Sequence, residues 1–239
     1  MYKYSLCLLI IISNILFSQS ESDVLKDAFS RFSKSPFNNL FISGGAFYSG
    51  DDLDRVPVLV NYYKNGASIK NMTIIDGLLG GLLADAKVVN NELTLDIPEN
   101  NDGIIKTSFS TFSFEAPIMR FPSSYVNAVE YRFIDLSKKI ISSNINFGKN
   151  WHTLTIEYRD RVDSIVFSAK SFRVRSYSIK ALNNTIDIQF ASYTNIDSKI
   201  SYPTEFIIKS KIDKREIRFN VTNVSINDNA LREAKKFNW

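Results

Sequence analysis

Residues 152–158 read His-Thr-Leu-Thr-Ile-Glu-Tyr, and this stretch decides the fold class. Its apolar and ring-bearing side chains alternate with threonine and glutamate, so one face of an extended chain is apolar and the other is polar. The same alternation recurs at residues 92–97, 185–190 and 216–222. A period of two is typical of a half-buried β-strand, with one face on a core and the other in water.

Polar turn sequences separate these runs. Asn65-Gly66, Asn90-Asn91, Arg159 to Arg161 and Asn183-Asn184 lie where antiparallel hairpins are expected to reverse. The pattern predicts a mainly β (α+β) chain built on one large antiparallel sheet. Because strands twist, a sheet of many strands is expected to curl or close.

Helical patterns are few. Residues Asp23 to Phe32 have apolar side chains spaced as on one face of a helix, and Asn227 to Lys236 predicts a short terminal helix. Residues Ser123 to Leu136 fit a helix and a strand equally well. No linker or repeat divides the chain, so we expect residues 21–239 to form one β domain.

The first twenty residues are typical of a signal peptide. Lys3 supplies a positive charge, Leu6 to Phe17 is almost wholly apolar, and the small and polar residues Ser18 to Ser20 follow. The apolar stretch is shorter than the roughly 20 residues that a membrane-spanning helix needs. We therefore expect residues 1–20 to be removed and the product to lie in a bacterial periplasm, the alternative being secretion.

The only cysteine, Cys7, lies inside this apolar stretch. The mature protein is then expected to contain no disulfide and no cysteine-based metal site. It would also lack a cysteine for lipid attachment at the cleavage point.

Residue chemistry predicts neither an enzyme nor a cofactor. The formal net charge is +4, and basic residues are spread along the chain, so we expect no nucleic-acid partner. His152 is the only histidine, and Asp51, Asp52 and Asp54 lack the ligand spacing of a calcium loop, so we predict no metal site. No serine occupies a G-x-S-x-G turn. A pair of carboxylates for glycoside hydrolysis has no particular candidate.

One segment departs from the alternating pattern. Residues 76–84 read Asp-Gly-Leu-Leu-Gly-Gly-Leu-Leu-Ala, which is apolar and rich in glycine. Its leucines have two interpretations: a plug packed inward against the core, or an exposed tip that contacts a membrane or a lipid chain. The predicted contact residues are Leu78, Leu79, Leu82 and Leu83.

The order of these elements resembles the LolA/LolB family of periplasmic carriers and receptors of bacterial lipoproteins, and the LolB-like side most closely. The resemblance is carried in the N-terminal half by a helix followed by Leu40 to Tyr48, Val56 to Val60, Ala67 to Ile75, the element Asp76-Gly-Leu-Leu-Gly80 and Leu93 to Pro98. In the C-terminal half it is carried by Tyr202-Pro203, Phe206 to Ile208, Glu216 to Val224 and the tail from Val224 to Phe237. Residues 106–147 match no known pattern.

The resemblance implies a half-open β-barrel with a few covering helices, whose apolar interior shelters acyl chains. The expected function is a monomeric periplasmic carrier for acyl chains of lipoproteins or other lipids, which contacts membranes transiently and serves lipoprotein localisation to the outer membrane. The expected cavity residues are Phe47, Val58, Val60, Tyr62, Leu93, Leu95, Leu154 and Ile156. Because LolB-type receptors are themselves lipoproteins, the missing lipidation cysteine favours a soluble shuttle. The alternative is a secreted or surface β-rich interaction protein without a small ligand.

Overall fold

The computed structural model describes most of the chain after residue 20. The described residues are 21–50, 53–66, 68–90, 92–98, 103–108, 129–182, 185–196, 200–211 and 214–239. Residues 1–20, which carry the predicted signal peptide, lie outside them. No helix within the described residues is long and apolar enough to cross a membrane.

The described residues form one antiparallel sheet of thirteen strands. The strands are β1 (Asn39–Gly50), β2 (Leu53–Asn65), β3 (Ile69–Asp76), β4 (Leu82–Val89), β5 (Glu92–Asp96), β6 (Ile105–Ser108), β7 (Ile140–Phe147), β8 (Trp151–Tyr158), β9 (Arg161–Ser168), β10 (Val174–Ala181), β11 (Thr185–Asn195), β12 (Ser201–Ser210) and β13 (Arg215–Ile226). Their order is β6-β5-β4-β3-β2-β1-β13-β12-β11-β10-β9-β8-β7, so β1 and β13 join the two halves. Among the described strands the sheet does not close, which confirms the predicted large, curved, half-open sheet.

The alternating residues place one apolar row per strand on a common face. In β8, Leu154 and Ile156 are buried and pair in register with Ile165 and Asp163 of β9. The buried rows of successive strands merge into one core on the concave face of the sheet. The period-two reading of residues 152–158 is therefore confirmed by both pairing and burial.

Two helices cover opposite faces of the sheet. Helix α1 occupies residues 21–32 and packs Ala28 and Phe32 into the concave core. Helix α2 (Asn227–Lys235) follows β13 directly and packs on the outer face of β1 and β2. The cluster beneath α2 consists of Phe41, Tyr63, Ala230 and Ala234, with Phe237 and Trp239 packed against it.

The predicted hairpins and helices agree with these elements. Residues 159–160 and Asn90 connect consecutive antiparallel strands, and Asn183 and Asn184 lie outside the described residues, between β10 and β11. Of Ser123 to Leu136, only residues from 129 onward are described; Val129 is helical, and residues 130–136 follow an irregular path rather than a strand.

Candidate functional site

Seven of the eight predicted cavity residues lie together on the concave face. They are Val58, Val60, Tyr62, Leu93, Leu95, Leu154 and Ile156. Each is almost completely buried and belongs to the same packed cluster. None of them lines either of the two cavities described below. The structure thus brings these residues together as covered core, and their contact with a ligand stays a prediction.

Phe47 requires a correction. Its side chain is 45% exposed, whereas its neighbour Ala46 is buried against the concave core. Successive side chains of a strand point to opposite faces, so Phe47 lies on the outer face of β1. The segment Leu40 to Tyr48 has apolar residues at both parities, and alternation alone therefore could not assign its faces.

A segment without regular structure crosses the concave face, and we call residues 129–136 the crossing segment. Tyr202 donates a hydrogen bond of 2.7 Å to the carbonyl of Val129, which attaches the segment to β12. The backbone N–H groups of Phe133 and Ile134 donate to the carbonyl of Phe32, at 2.8 and 2.9 Å, which attaches it to α1. The crossing segment therefore covers the predicted apolar residues on the concave face.

Glu130 fixes the crossing segment through a buried cluster of charges. Its carboxylate accepts a 2.6 Å hydrogen bond from Tyr62 and a 2.5 Å bond from the ammonium of Lys70. The Lys64 ammonium lies 3.9 Å from the other carboxylate oxygen and donates at 2.7 Å to the carbonyl of Phe37. Lys64 and Lys70 are directly opposite in the β2–β3 ladder, a pairing that is unfavourable unless an anion neutralises it.

The pKa values in this cluster follow from burial and from these neighbours. Burial raises the pKa of Glu130, but the ammonium groups of Lys70 and Lys64 outweigh it and hold that pKa below its usual range. Burial lowers the pKa of Lys64, against the attraction of Glu130. Glu130 is therefore ionised at neutral pH and holds the crossing segment as an ion.

A cleft of about 640 Å³ opens between the end of α1, the crossing segment and the turns that precede β10 and β12. We call it the basic cleft. Its lining residues are Ser30, Arg31, Phe32, Lys34, Ser35, Pro36, Phe37, Tyr131, Ser171, Phe172, Arg173, Asn195, Ile200 and Ser201. Phe32 and Phe37 belong to the concave core, so the floor of the basic cleft is continuous with that core.

Two aromatic residues of this lining have unusual backbone conformations. Tyr131 has φ +59° and Phe172 has φ +56°, a left-handed region that bulky residues rarely adopt. Such a conformation costs roughly 1–3 kcal/mol and persists only where the surroundings enforce it. Contacts of both side chains hold these conformations. The Tyr131 hydroxyl accepts a 2.8 Å hydrogen bond from the N–H of Val174, and the Phe172 ring stacks on Phe167 at 5.3 Å between centroids.

The leucines that follow β3 form an exposed tip, which we call the leucine tip (residues 77–81). Leu78 is 80% exposed and Leu79 is 88% exposed, so neither packs inward. The carboxylate of Asp76 accepts 2.7 Å hydrogen bonds from the N–H groups of both leucines and holds the turn, which also keeps the pKa of Asp76 below its usual range. Of the two interpretations of this segment, the exposed tip is the one that the structure favours.

The other two predicted contact residues, Leu82 and Leu83, differ in their exposure. Leu82 at the start of β4 is 42% exposed, whereas Leu83 packs against the concave core and does not belong to the exposed set. Because successive strands are antiparallel, the leucine tip and the basic cleft lie at opposite ends of the sheet. They are therefore separate surfaces.

Two further acidic side chains among the described residues are Asp163 and Asp85. Burial raises the pKa of Asp163, but this side chain is wholly enclosed and bonded to Arg161 and Tyr177. Asp85 lines an outer groove of about 430 Å³ between the sheet and Trp239; its register partner Asp96 does not line it.

Metal ions require several ligand side chains that lie close together. Within the described residues no three histidine, cysteine, aspartate or glutamate side chains lie together. His152 is buried between the rings of Phe147 and Phe167. The acidic residues Asp51 and Asp52 fall outside the described part of the chain.

No protein-family model and no curated protein sequence matches this chain. Solved structures do match it in shape. A LolA superfamily protein from Nitrosomonas europaea superposes with a TM-score of 0.62 at 10% identity, over 87% of this chain and 94% of the other. A putative outer membrane lipoprotein-sorting protein domain from Vibrio parahaemolyticus gives 0.60 at 9% identity, over 90% and 97%. A DUF1329 family protein from Desulfovibrio piger gives 0.60 at 8%, over 88% and 93%.

These likenesses confirm the LolA/LolB-like resemblance at the level of the fold. The identities are too low to transfer a residue's role from any of the three structures. What the site does must therefore be argued from the geometry of this chain.

Proposed function

We propose that this protein is a periplasmic carrier that binds the acyl chain of a lipoprotein or another lipid, rather than an enzyme. The observation that carries the proposal is the basic cleft, whose aromatic floor is continuous with the concave core. The LolA-like fold supports it, and one structure of the same shape is described as an outer membrane lipoprotein-sorting domain.

The physical basis of binding would be removal of apolar surface from water. Burial is worth roughly 0.8 kcal/mol per methylene, so ten buried methylenes supply about 8 kcal/mol before the losses of association. A cleft of about 640 Å³ falls within the range of small-molecule sites. In our proposal the chain enters against Phe32 and Phe37 and reaches the predicted cavity residues when the crossing segment moves aside.

The leucine tip would make the contact with a membrane. Its two leucines are presented at the end of a hairpin, and fully burying such a side chain is worth roughly 1.5–3 kcal/mol. A contact of this size is reversible, as a shuttle requires. Residues 1–20, interpreted as a signal peptide, would bring the protein to the periplasm.

Native mass spectrometry tests the carrier proposal. The full chain is expressed in a bacterium, and the mature protein is purified from the periplasm without detergent. We expect additional mass in the range of phospholipids or acylated peptides, which organic extraction removes. Ser171→Trp, which fills the basic cleft, should reduce that mass, and Ser68→Trp, at an exposed turn outside the cleft, should not.

An unchanged apo mass after incubation with lipid vesicles and lipopeptides would contradict the carrier proposal. It would favour the alternative of a secreted or surface interaction protein. Absence of the protein from the periplasmic fraction would contradict the proposed location.

A further inference from the structure

The basic cleft combines an aromatic floor with three cationic side chains. Arg31 and Lys34 come from the end of α1, and Arg173 precedes β10. Within the part of the chain that the structure describes, none of the three forms an ion pair with a carboxylate. All three are exposed, whereas the buried Lys70 and the half-buried Arg161 are each paired with a carboxylate. Among the described residues, the rim of the cleft thus carries positive charge without a paired carboxylate.

Aromatic rings position the two arginines. The guanidinium carbon of Arg31 lies 4.6 Å from the ring centroid of Phe172, and that of Arg173 lies 5.5 Å from Tyr193. Stacking on a ring engages the flat face of a guanidinium and leaves the N–H groups at its edge available. The unusual backbone of Phe172 is what places this ring beneath Arg31.

Neutral polar groups complete the rim. One terminal nitrogen of Arg173 donates to Ser201 at 2.7 Å and to Asn195 at 3.4 Å. Its other N–H groups have no partner among the described residues. Ser171 also lines the opening, as does Ser35, whose hydroxyl donates to the carbonyl of Phe37. The guanidinium edges at this rim match the oxygen atoms of a phosphate or a carboxylate.

We propose that the basic cleft selects amphiphiles with an anionic head group, a phosphate or a carboxylate on an aliphatic chain. The head group binds at the rim formed by Arg31, Lys34 and Arg173, and the chain lies on Phe32 and Phe37. This inference rests on the proposed carrier function, because it names the class of ligand for the same site.

Selection of the ligand requires both the cationic rim and the apolar floor of the basic cleft. A free anion would use the rim and make no contact with the apolar lining of the cleft, such as Phe172 and Ile200. A neutral or cationic amphiphile would use the floor and leave the three cations uncompensated. Only a ligand with both parts satisfies both surfaces.

The test compares probes that share one tetradecyl chain and differ in the head group. Isothermal titration calorimetry measures binding of tetradecyl phosphate, pentadecanoate, tetradecyl maltoside and tetradecyltrimethylammonium to the mature protein, each below its micellar concentration. Inorganic phosphate is the chain-free probe. We expect both anionic probes to bind at least about tenfold more tightly than the neutral probe, with affinity falling as salt rises.

The double variant Arg31→Gln/Arg173→Gln should weaken the anionic probes by at least about tenfold and leave the maltoside unchanged. Arg175→Gln is the matched control, since Arg175 stacks on Trp151 and does not line the basic cleft. It removes one arginine charge outside the cleft and should leave every affinity within about twofold.

The outcomes separate the two proposals. If no tetradecyl probe binds, the carrier function itself fails. If all head groups bind equally, or if the double variant behaves like Arg175→Gln, the carrier function stands and the head-group selection is wrong. Inorganic phosphate binding as tightly as tetradecyl phosphate would also overturn the selection, because the chain would then contribute nothing.

Discussion

The concave face and the leucine tip are built from the same residue type and end in opposite environments. Leu93 and Leu154 are 1% and 0% exposed, whereas Leu78 and Leu79 project into solvent. The first pair alternates with polar residues in strands, so the sheet turns both leucines to one covered face. The second pair is consecutive in a turn held by Asp76, outside the alternation of a strand, and both side chains are exposed. Hydrophobicity alone therefore does not distinguish a core from a contact surface; position in the backbone does.

The largest expected effect is on the free energy of unfolding, when a buried and an exposed leucine are each replaced by aspartate. Leu154→Asp places an unpaired carboxylate in the core and should lower the free energy of unfolding by more than about 4 kcal/mol, or prevent folding. Leu79→Asp should change it by no more than about 0.5 kcal/mol, because the side chain is exposed. Urea unfolding followed by circular dichroism measures both. A strongly destabilised Leu79→Asp variant would mean that the tip packs as core in solution.

The covering of the concave face depends on Glu130. Glu130→Ala leaves Lys64 and Lys70 buried without their carboxylate and should lower the free energy of unfolding by about 3–5 kcal/mol. Glu157→Ala, at an exposed position on β8, is the control and should change it by less than about 1 kcal/mol. Equal effects of the two variants would show that the buried cluster does not hold the crossing segment.

The same cluster predicts a pH dependence of the free energy of unfolding. The pKa of Glu130 is lower in the folded protein than in the unfolded chain, so its contribution is complete above the unfolded value of about 4.3 and is lost as the pH falls through the folded pKa. The stability difference between the wild type and Glu130→Gln should therefore narrow as the pH is lowered from 7 towards 3. Urea unfolding at several pH values measures it, and a constant difference would contradict the assignment.

A smaller effect concerns the tip as a contact surface. Leu78→Asp/Leu79→Asp should weaken association with phospholipid vesicles by about tenfold, because two exposed apolar side chains no longer enter the membrane. Ile141→Asp removes an exposed apolar side chain from the far edge strand β7 and should leave association unchanged. Vesicle co-sedimentation measures both variants. If the two variants lose association equally, the tip has no special role.

The smallest expected effect concerns the amide hydrogen exchange of the leucine tip. Asp76→Ala removes the acceptor for the N–H groups of Leu78 and Leu79 and should raise their amide hydrogen exchange without altering that of Leu93. Leu93 lies in the paired strand β5 and serves as the internal control. Unchanged exchange at Leu78 and Leu79 would show that another group holds the turn.

Most of the fold could be predicted from the sequence because its strands repeat one simple pattern. Residues such as those in β8 and β13 alternate regularly, and polar turns mark their ends. The prediction that Phe47 is a cavity residue is wrong, because apolar residues occupy both odd and even positions of β1 and alternation does not distinguish its two faces. The sequence allows both an exposed tip and a plug packed inward. Hydrogen bonds from backbone N–H groups to Asp76 hold the exposed turn, and the sequence pattern does not predict these bonds.

The basic cleft and the crossing segment could not be found in this way. Glu130 lies in a stretch whose pattern fits a helix and a strand equally well, and its lysine partners are 60 or more residues away in sequence. Arg31, Arg173 and Phe172 meet only because the turns at one end of the sheet converge on α1. Arg173 and Arg175 stand close together in the sequence, but only Arg173 lines the cleft.

The most direct test of the central claim is to locate a bound chain by photo-crosslinking. A tetradecyl phosphate with a photoreactive diazirine near the end of its chain is bound to the mature protein, irradiated, and mapped by peptide mass spectrometry. We predict saturable adducts on peptides that contain residues 31–37 and 171–173, which unlabelled probe suppresses. Adducts confined to residues 77–82, or none that saturate, would contradict the assignment of the basic cleft as the ligand site.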